Sequence, residues 1–440
     1  MARWKFFGGV HPRYRKELAE SRPIEVMQLP ERLIVHFAQN LGTPPKPLVK
    51  KGDAVKKGQV IGEPRGFVSV PIHAPTSGTV QAIDVFPHPV GADMLAAVII
   101  PDGKDEWADG LNVERDEAAF DDGRIIEAVR DAGLVGMGGA AFPTHVKLSP
   151  PKEKPIDLLI VNGAECEPYL TADHRLMIEK PREIVEGASY LARALGVSRA
   201  IVAIERNKPD AAESLRSEIV ERSGFSVESL EVTYPQGAER QLIFALTGRR
   251  VPAGGLPMDV GVLVQNVATS CAAYEAIRFN RPLIERVVCV SGRGVKTPKN
   301  LLARIGTTFG DIIAFCGGAV DSGKVIGGGP MMGVAQYSLD VPVAKGTSGI
   351  VLLRQDEVAQ FVGDACIRCG RCVRACPMQL NPSLLSVLVE RLHFEDAGKH
   401  HVLDCIECGC CAYVCPSRRP MVHHFRRAKA EVRSAQAEAI

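Results

Sequence analysis

A twelve-residue pattern occurs twice near the end of the chain, as CIRCGRCVRACP (366–377) and CIECGCCAYVCP (405–416). Each copy spaces four cysteines alike and follows the last with proline: Cys366, Cys369, Cys372 and Cys376, then Cys405, Cys408, Cys411 and Cys415. Closely set thiolates are soft ligands, suited to iron–sulfur clusters or to structural zinc. Of the 13 cysteines only Cys166, Cys271, Cys289 and Cys316 lie outside this region. An odd total, with no leader expected, argues for metal ligation over a disulfide framework. A second stretch, GLVGMGGAAFPTHVKL (133–148), sets Gly136, Gly138 and Ala141 in the G-x-G-x-x-G/A spacing that cradles a pyrophosphate. That fingerprint needs a strand before it and a helix opening from it. Here a helical pattern precedes the loop and Pro143 stands where the next helix should be under way, so an ordinary dinucleotide turn is not expected.

Both cysteine runs match the C-x2-C-x2-C-x3-C-P pattern of bacterial ferredoxins, and two copies resemble a two-cluster ferredoxin module. Three thiolates two residues apart wrap one cubane, and the fourth reaches the other. Cys366, Cys369, Cys372 and Cys415 are therefore expected on one [4Fe–4S] cluster, and Cys405, Cys408, Cys411 and Cys376 on the second. Cys410 is left over as a thiol beside the ligands. Zinc is the alternative, but the doubled Cys-Pro ending favours iron and sulfur.

These centres need a scaffold, and 440 residues suffice for three or more domains. Hydrophobic content of 46% and charged content of 24% fit a globular protein, and a net charge of +2 offers no basic face for nucleic acid. No apolar run approaches 18 residues, so no membrane-spanning helix is expected. The start, MARWKFFGGVHPRYRK, has no apolar stretch behind it, so no signal peptide is expected. The expectation is a cytosolic protein that can dock on a membrane partner.

After an N-terminal segment (1–29), residues 30–110 read as short strands. Val49, Val55, Val60 and Ile61 alternate with turns at Gly52, Gly58 and Gly62. The phrases PLVKKGDAVKKGQVIGEP and VPIHAPTSGTVQAID resemble a lipoyl/biotinyl-type barrel-sandwich domain. The RGFVSV between them has no lysine, which disfavours a swinging prosthetic group. From about 121 the period turns helical, with Asp121 or Asp122 as cap and Gly133 as stop. Strands are expected at 157–163, 199–205 and 230–234, separated by helices through Ile184–Leu195 and from Pro209, which predicts a parallel α/β layer over 118–285. Residues 286–345 read as a small β-rich module, 355–425 as the cysteine module and 426–440 as a charged helical tail.

A two-cluster relay fused to an α/β domain suggests a flavin, which converts a hydride's two electrons into single steps. The glycine loop, with VNGAECEPY (161–169), YPQGAERQL (234–242) and VLVQNVATS (262–270), resembles four ordered motifs of the NADH-oxidising flavoprotein subunit of respiratory complex I. The resemblance implies a complex I-like FMN domain followed by a β-grasp module of the SLBB kind. It implies FMN contacts from Gly136, Gly138 and Lys147, with Asn162, Glu165, Tyr234, Gly237, Val264, Asn266 and Thr269 matching further FMN-lining positions. Phe142 matches an aromatic that stacks on adenine, and Glu167 and Glu239 match acidic positions near the nicotinamide nucleotide. Ala164, Ala238 and Pro150 depart from that pattern, chiefly at the NADH contacts. No general acid or base is required.

The two-cluster ending, the lipoyl-like domain and the opening FFGGVHP (6–12) together resemble the RnfC family, found in the ion-translocating ferredoxin:NAD+ oxidoreductase complexes. Membership implies peripheral attachment at the cytoplasmic face of the membrane. It also implies electron exchange among NAD(H), FMN, the clusters and the other subunits, with ferredoxin as an indirect partner. A soluble flavin/iron–sulfur reductase acting on cobalamin, and a relay subunit that has lost its nucleotide site, share many of the same motifs. The cofactor content is directly measurable: flavin and iron assays should return about one FMN and about eight iron atoms per chain.

Overall fold

The computed structural model describes residues 5–116, 120–220, 222–358 and 363–438. An irregular arm leads to a short strand, β1 (Ile24–Val26). The first module follows: β2 (Leu33–His36), β3 (Lys46–Pro47), β4 (Ala54–Val55), β5 (Val60–Glu63), β6 (Ile72–His73), β7 (Gly78–His88) and β8 (Ala92–Pro101). These form two antiparallel sheets, β2-β8-β7-β4 and β3-β5-β6. Leu33, Val35, Phe37, Ile61, Ile72, Val80 and Ile99 fill the space between them. The barrel-sandwich expected from the punctuated valines is present.

The α/β layer opens with α1 (Asp122–Asp131), whose N-cap Asp121 accepts the Arg124 amide at 2.8 Å. Ile125 and Val129 are buried, and Gly133 at φ +67° ends the helix as its position predicts. The glycine loop leads into a single turn, α2 (Thr144–Lys147). Then β9 (Leu158–Gly163), α3 (Ala172–Glu179), α4 (Pro181–Ala194), β10 (Ala200–Glu205), α5 (Pro209–Ile219), β11 (Phe225–Leu230), α6 (Glu239–Thr247), β12 (Val262–Asn266) and α7 (Val267–Phe279) alternate. Their strands are parallel, in the order β11-β10-β9-β12. The strand expected at 230–234 instead ends at Leu230. Its sequel leaves the sheet because the backbone of Tyr234 pairs with Val10 of the N-terminal arm.

The chain leaves β9 towards β10 and returns on the other side as β12. That reversal opens a crevice at the C-terminal strand ends, where Asn162 and Asn266 stand in register.

The third module comprises β13 (Glu285–Ser291), β14 (Lys299–Arg304), α8 (Phe309–Phe315), β15 (Ser322–Gly327), β16 (Val334–Ala335) and β17 (Gly349–Arg354). Its sheet has the order β1-β14-β13-β17-β15-β16. It therefore recruits β1 from the arm and extends past residue 345, since β17 pairs at its centre. The cysteine module holds α9 (Arg371–Ala375), α10 (Pro382–Glu390), α11 (Phe394–Lys399), α12 (Cys410–Tyr413) and α13 (Met421–Glu438). The helical tail begins at Met421, within the cysteine module, and lays Met421, Phe425, Ala428 and Val432 on that module's core. Among the described residues no helix is long and apolar enough to cross a membrane.

Gly187 lets α4 approach α7, since a Cβ there would collide with the Ser270 carbonyl. Gly187→Ala should therefore destabilise the α/β layer by about 1–3 kcal/mol through overpacking, seen as faster hydrogen exchange across both helices.

Candidate functional site

The eight expected ligands divide between two cavities. Cys366, Cys369, Cys372 and Cys415 line one of about 280 Å³, with Met421 as its apolar wall. Cys376, Cys405, Cys408 and Cys411 line the other, of about 350 Å³, beside Leu380 and Phe425. Each cavity thus takes three thiols from one run and the fourth from the other. Gly370 and Gly409 (φ +70° and +77°) turn the two runs into α9 and α12, a backbone region that glycine enters without strain. Four cysteines lining one small pocket are the donor set of a cubane cluster, so the residues fit the group. Cys410 borders the second cavity as a fifth cysteine, its thiol 3.9 Å from the Tyr234 carbonyl.

At the sheet crevice the glycine loop folds back on itself. Gly136 N donates to Phe142 O at 2.8 Å, and the Ala141 amide returns to Gly136 O at 3.1 Å. Thr269 Oγ1, buried in α7, accepts the Met137 amide at 2.9 Å and holds the loop against β12. The tip, Gly138–Ala140, is exposed, and its three backbone N–H groups meet no protein acceptor among the described residues. Gly138 lies against the Asn266 side chain. Asn266 caps α7 by accepting the Ala268 amide and donates to Asp173 Oδ2 at 2.7 Å. Asn162 donates to Gly237 O at 2.9 Å, and Gly237 must be glycine because a Cβ would strike the Ala164 carbonyl. Lys147 Nζ reaches Glu239 at 2.9 Å and Val264 O at 3.0 Å, so both residues share the crevice with it. Free amides, paired asparagines and one lysine at strand ends fit a phosphate-bearing planar cofactor. Phe142 stands half-buried at the loop's base.

Glu165, Glu167 and Tyr234 point elsewhere. Glu165 accepts the Asp173 amide at 2.9 Å at the start of α3 and lies 3.8 Å from the Lys16 ammonium, with its side chain 7% exposed. Glu167 accepts the amides of Met331 and Met332, at 3.1 and 2.8 Å. Burial outweighs those bonds and pushes its carboxyl up to about 7. Tyr234 is fully buried and donates its hydroxyl to Cys408 O at 2.8 Å. It thus joins the crevice's edge to a cavity cysteine.

Two further residues carry this arrangement and escaped sequence reasoning. Asp173, three residues beyond Leu170, is raised by burial and the nearby Glu165 charge, and is held by Asn266. Lys16 is buried, donating to Glu167 O at 3.0 Å and to Leu170 O. Its ammonium is pushed down by burial and supported by Glu165. Neither position shows a periodic or spacing signal; only the FFGGVHP motif hinted that the arm matters.

Fold and site together define a modular flavin and iron–sulfur electron-transfer protein. Family models agree module by module: the RnfC barrel sandwich hybrid domain over residues 4–104, the Nuo51 FMN-binding domain over 129–275, the SLBB domain over 287–335 and a 4Fe-4S dicluster domain over 359–416. The chain is 49% identical, over 98% of its length and 94% of the relative's, to a subunit of the proton-translocating ferredoxin:NAD(+) oxidoreductase complex of Clostridium ljungdahlii. It is 44% identical, over 97% of each chain, to the counterpart in the Na(+)-translocating complex of Acetobacterium woodii. Against the corresponding member of the ion-translocating oxidoreductase complex of Rhodobacter capsulatus it is 43% identical, over 98% of this chain and 83% of that one. An NAD+-reducing [NiFe]-hydrogenase structure in the air-oxidized state shares the fold, with TM-score 0.50 and 21% identity over 70% of this chain and 62% of that one. The chain belongs to the RnfC family, whose members are subunits of ion-translocating ferredoxin:NAD(+) oxidoreductase complexes.

Glu167 makes stability depend on pH. Its carboxyl titrates near 7 when folded against an ordinary 4.5, so between those values the folded state holds a proton the unfolded chain has released. This contribution is fully present below 4.5 and is lost as pH rises through about 7. Glu167→Gln should flatten the fall in melting temperature between those two pH values.

Proposed function

We propose that this chain exchanges hydride between NAD(H) and FMN and passes single electrons through two [4Fe–4S] clusters to the other subunits of a membrane complex. The observation that carries the reading is the shared Tyr234 turn. The turn borders the flavin crevice through Gly237 and touches a cluster cavity through Cys408. FMN, when bound, converts the two electrons of a hydride into the single steps that iron–sulfur clusters carry.

The chain's own residues supply binding and orientation. Gly138–Ala140 offer backbone amides to an anion, and Lys147 brings positive charge to the crevice, balanced by Glu239. Asn162 and Asn266, themselves fixed by hydrogen bonds, orient the cofactor at the strand ends. Gly136 and Gly237 would line it, with Thr269 buried behind the loop and Val264 lending the carbonyl that holds Lys147; the reading assigns Phe142 and Glu239 to the nicotinamide nucleotide. Cys376, Cys405, Cys408 and Cys411 hold the nearer cluster, since α6 reaches that turn through Gln241, whose amide lies 3.3 Å from Pro377 O. Cys366, Cys369, Cys372 and Cys415 would hold the farther one, with Cys369 exposed at the surface. That order gives electrons a direct route from crevice to surface. Peripheral docking on the cytoplasmic face of the membrane, with ferredoxin served indirectly, completes the reading.

Anaerobic titration with NADH tests it. Flavin absorbance should bleach and reduced-cluster EPR signals should follow; bound FMN that NADH leaves oxidised would overturn the hydride step. Cys369→Ala should cut iron from about eight to about four per chain and remove one of two EPR signals.

A further inference from the structure

The FFGGVHP motif contributes no ligand to either centre, yet the structure sets it between them. The Gly9 amide donates to the Ala375 carbonyl at 3.0 Å. The next residue, Val10, exchanges both backbone hydrogen bonds with Tyr234, at 2.8 and 2.9 Å. Gly8–Val10 is thus a strip of backbone bonded on one side to the turn that presents Cys376 and on the other to the turn that presents Tyr234. Both glycines are obligatory here. A Cβ on Gly8, at φ +76°, would sit 2.8 Å from the Ala375 and Cys376 carbonyl oxygens. On Gly9, at φ +86°, it would sit 2.9 Å from the Tyr234 carbonyl oxygen. Neither contact can relax by moving a flexible side chain. Val10 then buries itself with Tyr234, Cys166, Ala375, Cys408 and Cys410.

The rest of the arm is anchored at intervals. Tyr14 O accepts the Tyr169 amide at 2.7 Å, and Lys16 holds the Glu167 and Leu170 carbonyls. Asn300 Nδ2 donates to Ala19 O and Arg22 O, at 2.9 and 3.0 Å, and β1 pairs in parallel with β14. In sequence order the arm therefore touches the cysteine module, the edge of the flavin crevice, the acidic loop and the third module's sheet.

We propose that the N-terminal arm, residues 8–26, is a positioning clasp that sets the separation between the flavin crevice and the nearer cluster cavity. The proposal rests on the functional reading only for what those two sites bind. The arm carries no electron itself. It reinforces a junction that is also bonded directly, through Tyr234 to Cys408, Gln241 to Pro377 and Gly254 to Asp404, and electron transfer slows as the separation it fixes grows.

The test uses the holoprotein and its Gly8→Val and Gly9→Val variants. Iron and FMN contents are measured first. The bound FMN is then photoreduced directly by blue light with EDTA as electron donor, without NADH or a diffusing mediator, and the appearance of reduced clusters is followed by absorbance and EPR. Full cofactor content, normal flavin photoreduction and cluster reduction slowed several-fold are expected. An unchanged rate in variants that retain both cofactors would overturn the clasp. Should valine block folding or cluster loading, hydrogen exchange in the unaltered holoprotein decides: the Gly9 and Val10 amides should exchange as slowly as β9. Exchange as fast as a frayed terminus would sink the proposal. Because photoreduction needs no NADH, a flavin that fails to bleach with NADH counts against the functional reading alone.

Discussion

The buried hydroxyl of Tyr234, given to the Cys408 carbonyl, is the joint on which the molecule's two redox halves meet. An unpaired phenol in that apolar setting would lose its hydration without replacement, so the bond constrains where the cysteine module can sit. Tyr234's backbone is claimed as well, by Val10, and its carbonyl lies near the Cys410 thiol. One residue thus ties together the crevice edge, the arm and the second cysteine run. The shortened strand β11 follows from this, because residues beyond Leu230 are drawn out of the sheet to reach the joint.

A second constraint is electrostatic. The loop after β9 brings Glu165, Glu167 and, from α3, Asp173 close together with their carboxyls buried. Lys16 and Arg286 are buried cations that act on this group, and backbone amides donate to Glu165 and Glu167. Glu165 caps the start of α3 while Glu167 pins Met331 and Met332. Of the two acidic positions that resemble nicotinamide contacts in complex I, Glu167 thus lies inside the protein, while Glu239 stays at the crevice with Lys147. Their burial links the flavin layer to the third module, whose Met331 carbonyl in turn crowds Gly409 of the cysteine run.

Much of this was legible in the residues. The doubled cysteine spacing, read as the two-cluster ferredoxin pattern, leads to the same grouping of cysteines that lines the two pockets. The helix before the glycine loop and Pro143 after it ruled out a Rossmann turn, and α1 and α2 bear out that local chemistry. Alternation of apolar runs and amphipathic stretches marked β9 and β10. The strand ends at Leu230 rather than running over 230–234, since β-propensity in LEVTY says nothing about a distant backbone that claims Tyr234. The third module runs past the expected 345 because β17, a central strand, lies beyond a loop with no periodic signal.

What the sequence by itself determined is the inventory of centres: two four-cysteine sets, a glycine loop with its ordered partner motifs, and the modules that carry them. Spacing, caps and turn residues act over a few positions, so they can be read without a fold. Only the tertiary structure decided how the centres face one another. Lys16, Asp173, Gly8 and Gly9 take their roles from partners more than ninety residues away or from a neighbouring loop, and such contacts leave no mark in local pattern. The order of the two cavities along the route arises in the same way, from which cysteine turn packs against α6 and Tyr234.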